Sequence, residues 1–486
     1  APLRVLAALA AKSMLQLGPD GRYHIHALLR QLGAEHLAAQ PVELATCRDR
    51  HTAYFMSYLA ARRTALAGYT QMEALREIQE EMDNIRAAWS HAAATGRPPA
   101  QHGELEALFR FLWMRGRYAE GEQMARQGLV GMDRAGLTDG EQAVRIALIA
   151  YAARFAAASG AYERALTEAQ AALAAAQSID SPPELAQCQF VVGVIQGQLW
   201  HLAAAIPSLR TAHDLYRAQD NLLGVAETAL LLGFHVLDST ADYASAISYV
   251  DEGIAIYRAL GDRFDLAEGL NVAAHVRWNG GGDAEESARL YQECLDTARA
   301  VENRLVALQA VGGLAYAAQA HEQWDRAIAL QQERLALAQY LGHDHQVKTS
   351  LSLLTVAYTY AERYSAALAL MNQHPEVWRS YSMAQAYVGA GEYAEGFAFL
   401  RQLTAEKLAN AAAMPYITIV LVGWAMLLAS DCDLLMARDP MAPQVLPAAE
   451  RHALAVEILL AVQSYAQCDP ATRAQARRLL ARHYET

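Results

Sequence analysis

The sequence predicts an all-α protein: a right-handed superhelical repeat solenoid, preceded by a small domain remnant and a helical linker. Three observations carry that expectation. A short motif recurs about every 40 residues between positions 100 and 400. Helical apolar periodicity flanks each copy. Alanine, the best helix former, makes up about a fifth of the 486 residues, and its small side chain lets helices approach closely.

Composition narrows the function classes. Forty Lys and Arg against 52 Asp and Glu leave a formal charge of −12, which gives no general attraction for nucleic acid. With 53% hydrophobic and 19% charged residues the chain is neither collagen-like nor disordered. Lys occurs only at Lys12, Lys348 and Lys407, so nearly every positive charge is Arg; the Ala and Arg excess fits a GC-rich bacterial genome. The five cysteines, Cys47, Cys188, Cys294, Cys432 and Cys468, are odd in number, far apart and never spaced as CxxC. That pattern argues against a disulfide framework and a zinc site and fits a reducing cytoplasm. Ala1-Pro2-Leu3-Arg4 shows neither an initiator Met nor a signal-peptide pattern, and the sequence reads as a piece of a longer polypeptide.

In chain order, residues 1–40 begin with a helix that ends near Ala11. Met14 to Leu17 and Tyr23 to Ile25 read as two strands about the turn Gly18-Pro19-Asp20-Gly21, and a further helix starts at His26. Helix, short hairpin and helix are the last part of a winged-helix domain. Residues 41–98 form a helical linker. Residues 99–437 hold about eight helical hairpins. Residues 438–486 hold a loop with Pro440, Pro443 and Pro447, then two capping helices near 448–466 and 470–483, with Arg473, Arg477, Arg478 and Arg482 keeping the last surface soluble.

The recurring motif is a small residue, an aromatic, and a small residue three positions after the aromatic. Its copies are Tyr118 with Gly121, Tyr162 with Ala165, Trp200 with Ala203, Tyr243 with Ala246, Ala284 with Ser287, Trp324 with Ala327, Tyr364 with Ala367, and Tyr393 with Gly396. Gly116, Gly160 and Gly391 end the preceding helix, since glycine enters the left-handed region without steric cost. The small residue then lets the paired helices meet. This pattern resembles the tetratricopeptide repeat, with intervals near 40 in place of the usual 34. A single hairpin cannot bury its apolar face, so stacking, and with it a concave inner face, follows.

Lys12, Leu15, Tyr23, His26, Leu29 and Arg30 resemble the segment that precedes the tetratricopeptide sensor in signal-transduction ATPases with numerous domains (STAND). Arg48, His51, Tyr54 and Tyr58, followed by Glu80, Asp83, Asn84, Ile85, Arg86, Ala87 and Ala88, resemble that family's next two helices. Its members include AfsR-like and maltose-activator-like transcription regulators and NB-ARC proteins. The resemblance implies a regulatory region whose groove binds an inducer, whether small molecule, peptide or protein. Binding would relieve autoinhibition of an upstream nucleotide-binding domain that contacts this region. A constitutive scaffold for protein–protein interaction is the alternative reading. Neither direct nucleic-acid contact nor a membrane partner is expected.

Catalytic signatures are missing from the sequence. There is no Gly-x-x-x-x-Gly-Lys-Ser/Thr phosphate loop, HExxH or Gly-x-Ser-x-Gly, so the expectation is no enzyme, no cofactor and no metal. His24 with His26 reads as one face of a surface strand, and in His343-Asp344-His345 the acid reads as a helix cap. The uncharged stretch 411–430 is long enough to span a membrane, but Pro415, Gly423 and the following Asp431 and Asp433 favour a solenoid helix buried by its neighbours.

Projecting the tetratricopeptide inner-face positions onto the repeats selects Arg154, Gln187, Phe190, Glu227, Phe234, Gln309, Tyr316, Gln319, Ser352, Tyr360, Trp378, Tyr381 and Gln385. This lining is rich in aromatic rings and amides and poor in charge. It suits an uncharged or amphipathic ligand, or a peptide held by stacking and amide hydrogen bonds.

Overall fold

A computed structural model describes residues 2–18, 21–95, 102–132, 136–281, 284–374, 383–409, 417–429, 448–465 and 470–484. Over these the chain is all-α, a tetratricopeptide-like array of consecutive antiparallel helix pairs with one short β-hairpin near the N-terminus. It divides into two compact units, residues 1–228 with 260–262 and residues 229–259 with 263–486.

The first unit opens with α1 (Pro2–Ala11) and the antiparallel strands β1 (Leu15–Leu17) and β2 (Tyr23–Ile25), in which Leu15 faces Ile25 and Leu17 faces Tyr23. Next come α2 (Ala27–Ala38), α3 (Pro41–Ala60), α4 (Gln71–Glu80) and α5 (Met82–Ala94). The His26 imidazole caps α2 by accepting from the Leu28 amide at 3.3 Å. Phe55, Met56, Leu59, Leu75, Ile78 and Trp89 form the buried interior of α3 to α5. Trp89 also donates its indole N–H to the Met124 carbonyl at 2.9 Å, which ties these helices to the first repeat. The repeats of this unit are α6 (His102–Met114) with α7 (Tyr118–Val130), α8 (Asp139–Ala158) with α9 (Tyr162–Ser178), and α10 (Pro182–Gln198) with α11 (Leu202–Ala218); the first turns of α12 (Leu222–Thr240) follow. Residues 260–262 join the unit through Asp262, whose fully buried carboxylate accepts from Gln71 at 2.7 Å and from Arg110.

The second unit holds the rest of α12 and its partner α13 (Tyr243–Leu260), then α14 (Arg263–Gly281) with α15 (Ala284–Ala300), α16 (Arg304–Ala320) with α17 (Trp324–Leu341), and α18 (Asp344–Tyr360) with α19 (Tyr364–Gln373). After these come α20 (Met383–Gly389), α21 (Tyr393–Ala409), α22 (Ile417–Ala429), α23 (Ala448–Ser464) and α24 (Pro470–Tyr484). The apolar α22 is 13 residues long and sends Val420 and Leu427 into one core cluster with Leu400 and Leu403, and Val422, Ala425 and Leu428 into another with Leu459 and Leu479. Among the described residues one helix, α12, is long and apolar enough to cross a membrane, and 61% of its 18-residue apolar window is buried inside the protein. Two arginines of α24, Arg473 and Arg478, are half-buried and engaged, while Arg477 is exposed. Arg478 stacks its guanidinium 4.4 Å from the Trp324 ring and donates to the Tyr360 carbonyl at 3.0 Å, and Arg473 donates to the Tyr465 carbonyl at 2.8 Å. The Pro-rich segment 438–447 lies outside the described residues.

The turns inside the hairpins share one geometry, and it corrects one motif. A residue with φ between 52° and 90° stands two places before the second helix at Gly116, Gly160, Trp200, Ala241, Glu322, Glu362 and Gly391. In six of these turns the following amide bonds back five residues to the first helix: Arg117 to Leu112, Ala161 to Ala156, His201 to Gln196, Gln323 to Ala318, Arg363 to Tyr358 and Glu392 to Tyr387. That six-to-one bond satisfies an orphan carbonyl and holds even Glu and Trp in a conformation costing roughly 1–2 kcal/mol for an L-residue. Trp200 is therefore the left-handed residue itself, 71% exposed, and not the opener of α11. Leu202 opens that helix, and its small partner is the fully buried Ala205 rather than the exposed Ala203. Counting from 118, 162, 202, 243, 284, 324, 364 and 393, the intervals become 44, 40, 41, 41, 40, 40 and 29. The small residue is buried in every copy: Gly121, Ala165, Ala205, Ala246, Ser287, Ala327, Ala367 and Gly396.

Candidate functional site

The first helices of successive hairpins in the first unit, α6, α8, α10 and the start of α12, lie side by side and line a cavity of about 410 Å³. That is within the range of ligand pockets, roughly 300–1,000 Å³. Four of the residues selected from sequence, Arg154, Gln187, Phe190 and Glu227, meet in it.

Arg154 is its centre. The guanidinium lies between two aromatic faces, 4.3 Å from the Trp113 centroid and 5.0 Å from that of Phe190, and donates to Glu227 across 3.1 Å. Burial works against the positive charge, but the Glu227 carboxylate and the hydrogen bond to it outweigh that and raise the Arg154 pKa. Its Nε is buried with no hydrogen-bond partner among the described residues. Around it, Tyr151 stacks on Phe109 with centroids 4.4 Å apart, and Tyr216 meets Phe190 edge-on at 6.4 Å. Burial, then the neighbouring Glu106, pushes the Tyr151 phenol up, and burial followed by Glu227 does the same for Tyr216. Both remain neutral hydroxyls at physiological pH.

The charges of the lining balance. Arg63, Arg110 and Arg154 stand against Glu106, Glu184 and Glu227; Arg63 pairs with Glu106 at 3.1 Å and Arg154 with Glu227, while Arg110 pairs with the buried Asp262, which is not part of the lining. A ligand with large net charge gains little here. An amphipathic one gains aromatic surface, the Tyr216 phenol, the mutually hydrogen-bonded Tyr151 and Gln187, and an Arg154 N–H with no partner among the described residues.

The remaining selected residues lie elsewhere. Phe234 packs on the His275 ring at 5.5 Å. Gln309 is exposed and accepts from Asn271 at 3.3 Å. Tyr316 is 45% exposed and Ser352 half-buried. Gln319, Tyr360 and Gln385 are buried; the Tyr360 hydroxyl is 2.9 Å from that of Thr472, and Gln385 accepts from Gln475 at 2.9 Å. Trp378 and Tyr381 lie outside the described residues. Sequence reasoning passed over Trp113, Tyr151 and Tyr216. Tyr151 had a usable signal, since it stands three residues before Arg154 on α8 and so shares its face. Among the described residues no group of three or more His, Cys, Asp or Glu could hold a metal ion.

No model of a known protein family matches the sequence, and no curated protein matches it. Solved structures do match. The STAND protein with a tetratricopeptide repeat sensor from Pyrococcus horikoshii is similar over 99% of this chain and 60% of its own, with 11% identity and a TM-score of 0.52. This chain thus spans 60% of that protein's length. A Rap protein complexed with competence and sporulation factor is similar over 74% of this chain and 99% of its own, with 12% identity and a TM-score of 0.48. The apo form of RapI is similar over 73% and 96%, with 12% identity and a TM-score of 0.47. The likeness to the STAND protein is one of fold.

Proposed function

We propose that this chain is a binding module whose ligand is an extended peptide or protein segment, taken up in the α6–α12 pocket, and that it serves as the sensor region of a STAND-type ATPase. The observation that carries the binding reading is Arg154 itself, a guanidinium held between Trp113 and Phe190, neutralised by Glu227 and retaining a buried N–H without a partner among the described residues. A backbone carbonyl suits that donor, and the flanking rings suit apolar side chains. The sensor reading is supported by the fold shared with the STAND protein and by the N-terminal hairpin and helix that precede the repeats. The switch would act by differential affinity. A ligand that prefers the open arrangement of the full-length protein shifts it away from the form in which a nucleotide-binding domain is held inactive.

The test is a thermal-shift screen of this chain against pooled short peptides, sugars and nucleotides, since a ligand bound only by the folded state raises its Tm. The expected result is a peptide hit lost in Arg154→Ala and Trp113→Ala. A hit that survives both substitutions removes the pocket from the proposal. For the switch, crosslinking of the full-length protein with and without the hit should show ligand-dependent contacts with its nucleotide-binding domain; identical patterns leave a constitutive scaffold.

A further inference from the structure

In the second unit Arg334, on α17, is only 8% exposed yet has no carboxylate within ion-pairing distance among the described residues. Its hydrogen bonds go to neutral groups of α18: Nη1 donates to the Ser350 hydroxyl at 2.9 Å and Nη2 to the side-chain Oε1 of Gln346 at 3.0 Å. A guanidinium carries five N–H donors, so three have no hydrogen-bond partner among the described residues. The head group lies across Gly312 of α16, where a Cβ would stand 3.0 Å from Nε. Tyr316, one turn along α16 and 45% exposed, is the neighbouring ionisable group.

Two further observations mark the same seam between α16 and α17. Gln331, three residues before Arg334 and thus on its face of α17, is fully buried with neither amide atom hydrogen-bonded among the described residues. Gln319, three residues after Tyr316 on α16, is 2% exposed with its amide nitrogen unpaired among the described residues. Burying an ion without a counter-charge is unfavourable, and burial does depress the Arg334 pKa. Even a buried ion pair can often be replaced by apolar residues of similar volume without loss of stability, so packing alone does not call for an arginine here.

We propose that Arg334 is the anchor of an oxyanion-binding site, in which a carboxylate or phosphate group of a ligand supplies the missing counter-charge. Arg334 gives the paired N–H donors that match a planar or tetrahedral oxyanion, Ser350 and Gln346 hold the guanidinium in place, and the Tyr316 side of α16 is the solvent-facing approach. The absence of a side chain at Gly312 leaves room for the head group. The site uses residues separate from the α6–α12 pocket, so its test is independent of the reading above.

The test is isothermal titration of the whole chain with inorganic phosphate and, in a parallel arm, with acetate, at constant ionic strength and pH 7. Saturable binding of either anion is expected, weakened at least about tenfold in Arg334→Met and less in Arg334→Lys, which keeps the charge without the fork. Binding of phosphate alone identifies a phosphate-bearing ligand, and binding of acetate a carboxylate. Should Arg334→Met fail to fold, Gly312→Ala, whose Cβ displaces Nε, reads the same contact. No saturable binding by the wild-type chain, or binding unchanged in Arg334→Met and Gly312→Ala, overturns the proposal.

Discussion

Arg154 on α8 and Glu227 on α12 join across 3.1 Å, so the pair bridges two first helices that belong to hairpins separated by a whole repeat. Each side chain keeps only about a fifth of its surface exposed, 21% for Arg154 and 22% for Glu227. Removing one partner of a fully buried pair costs about 3–5 kcal/mol because the other charge is left uncompensated. With this residual exposure, Glu227→Gln should lower unfolding stability by about 2 kcal/mol. Urea denaturation checks the loss, and a double-mutant cycle with Arg154→Met should recover a large share of it as coupling.

Gly224 stands where a Cβ would lie 2.5 Å from Cγ of Tyr216. Gly224→Ala must push that ring into the pocket or open the α11–α12 contact, for a loss of about 1–3 kcal/mol. Gly140, whose added Cβ meets nothing within 4 Å on helix α8, is the control. Gly140→Ala should be neutral or stabilise by up to about 1 kcal/mol. Equal effects of the two substitutions in a denaturation series would contradict the packing described for Tyr216.

The corrected register of α11 makes an asymmetric prediction. Ala205 is fully buried at the helix–helix contact and Ala203 is exposed. Ala205→Leu should cost about 1–3 kcal/mol by overpacking, while Ala203→Leu should stay within about 0.5 kcal/mol. Melting temperatures of the two variants decide between the registers.

His235 on α12 and His275 on α14 are both held below the ordinary value of 6.5, by burial first, with Asp238 pulling the other way. Between their folded-state values and 6.5 the unfolded chain binds more protons than the folded one. The stability tied to these neutral rings is thus present above about pH 6.5 and is lost as pH falls through the folded-state values. The denaturation midpoint should drop between pH 7.5 and 5.5, and the slope should flatten in the His235→Gln, His275→Gln double variant. An unchanged slope in that variant would assign the acid sensitivity to other groups.

Much of the architecture was legible because it is local. The apolar period, the αL-then-aromatic turn and the small residue three places later all act within one hairpin, and hence the helical class and the repeat spacing could be read directly. Trp200 shows where that local reading slips. An aromatic normally opens the second helix, but here the six-to-one bond from His201 to Gln196 holds the tryptophan in the left-handed region and passes the opening position to Leu202.

By itself the sequence determined the all-α class, the period near 40 and the residue types available to the inner helices, since these follow from backbone propensity and side-chain periodicity. Tertiary structure alone decided which of those residues reach open space. It placed Arg154, Gln187, Phe190 and Glu227 around one cavity, buried Tyr360 and Gln385 against α24, and left Arg334 without a counter-ion among the described residues. The physical reason is angular. Each residue turns a helix by about 100°, so whether a side chain faces a ligand or a neighbouring helix depends on how each hairpin is rotated against the next, and that rotation is set by contacts far apart in the chain.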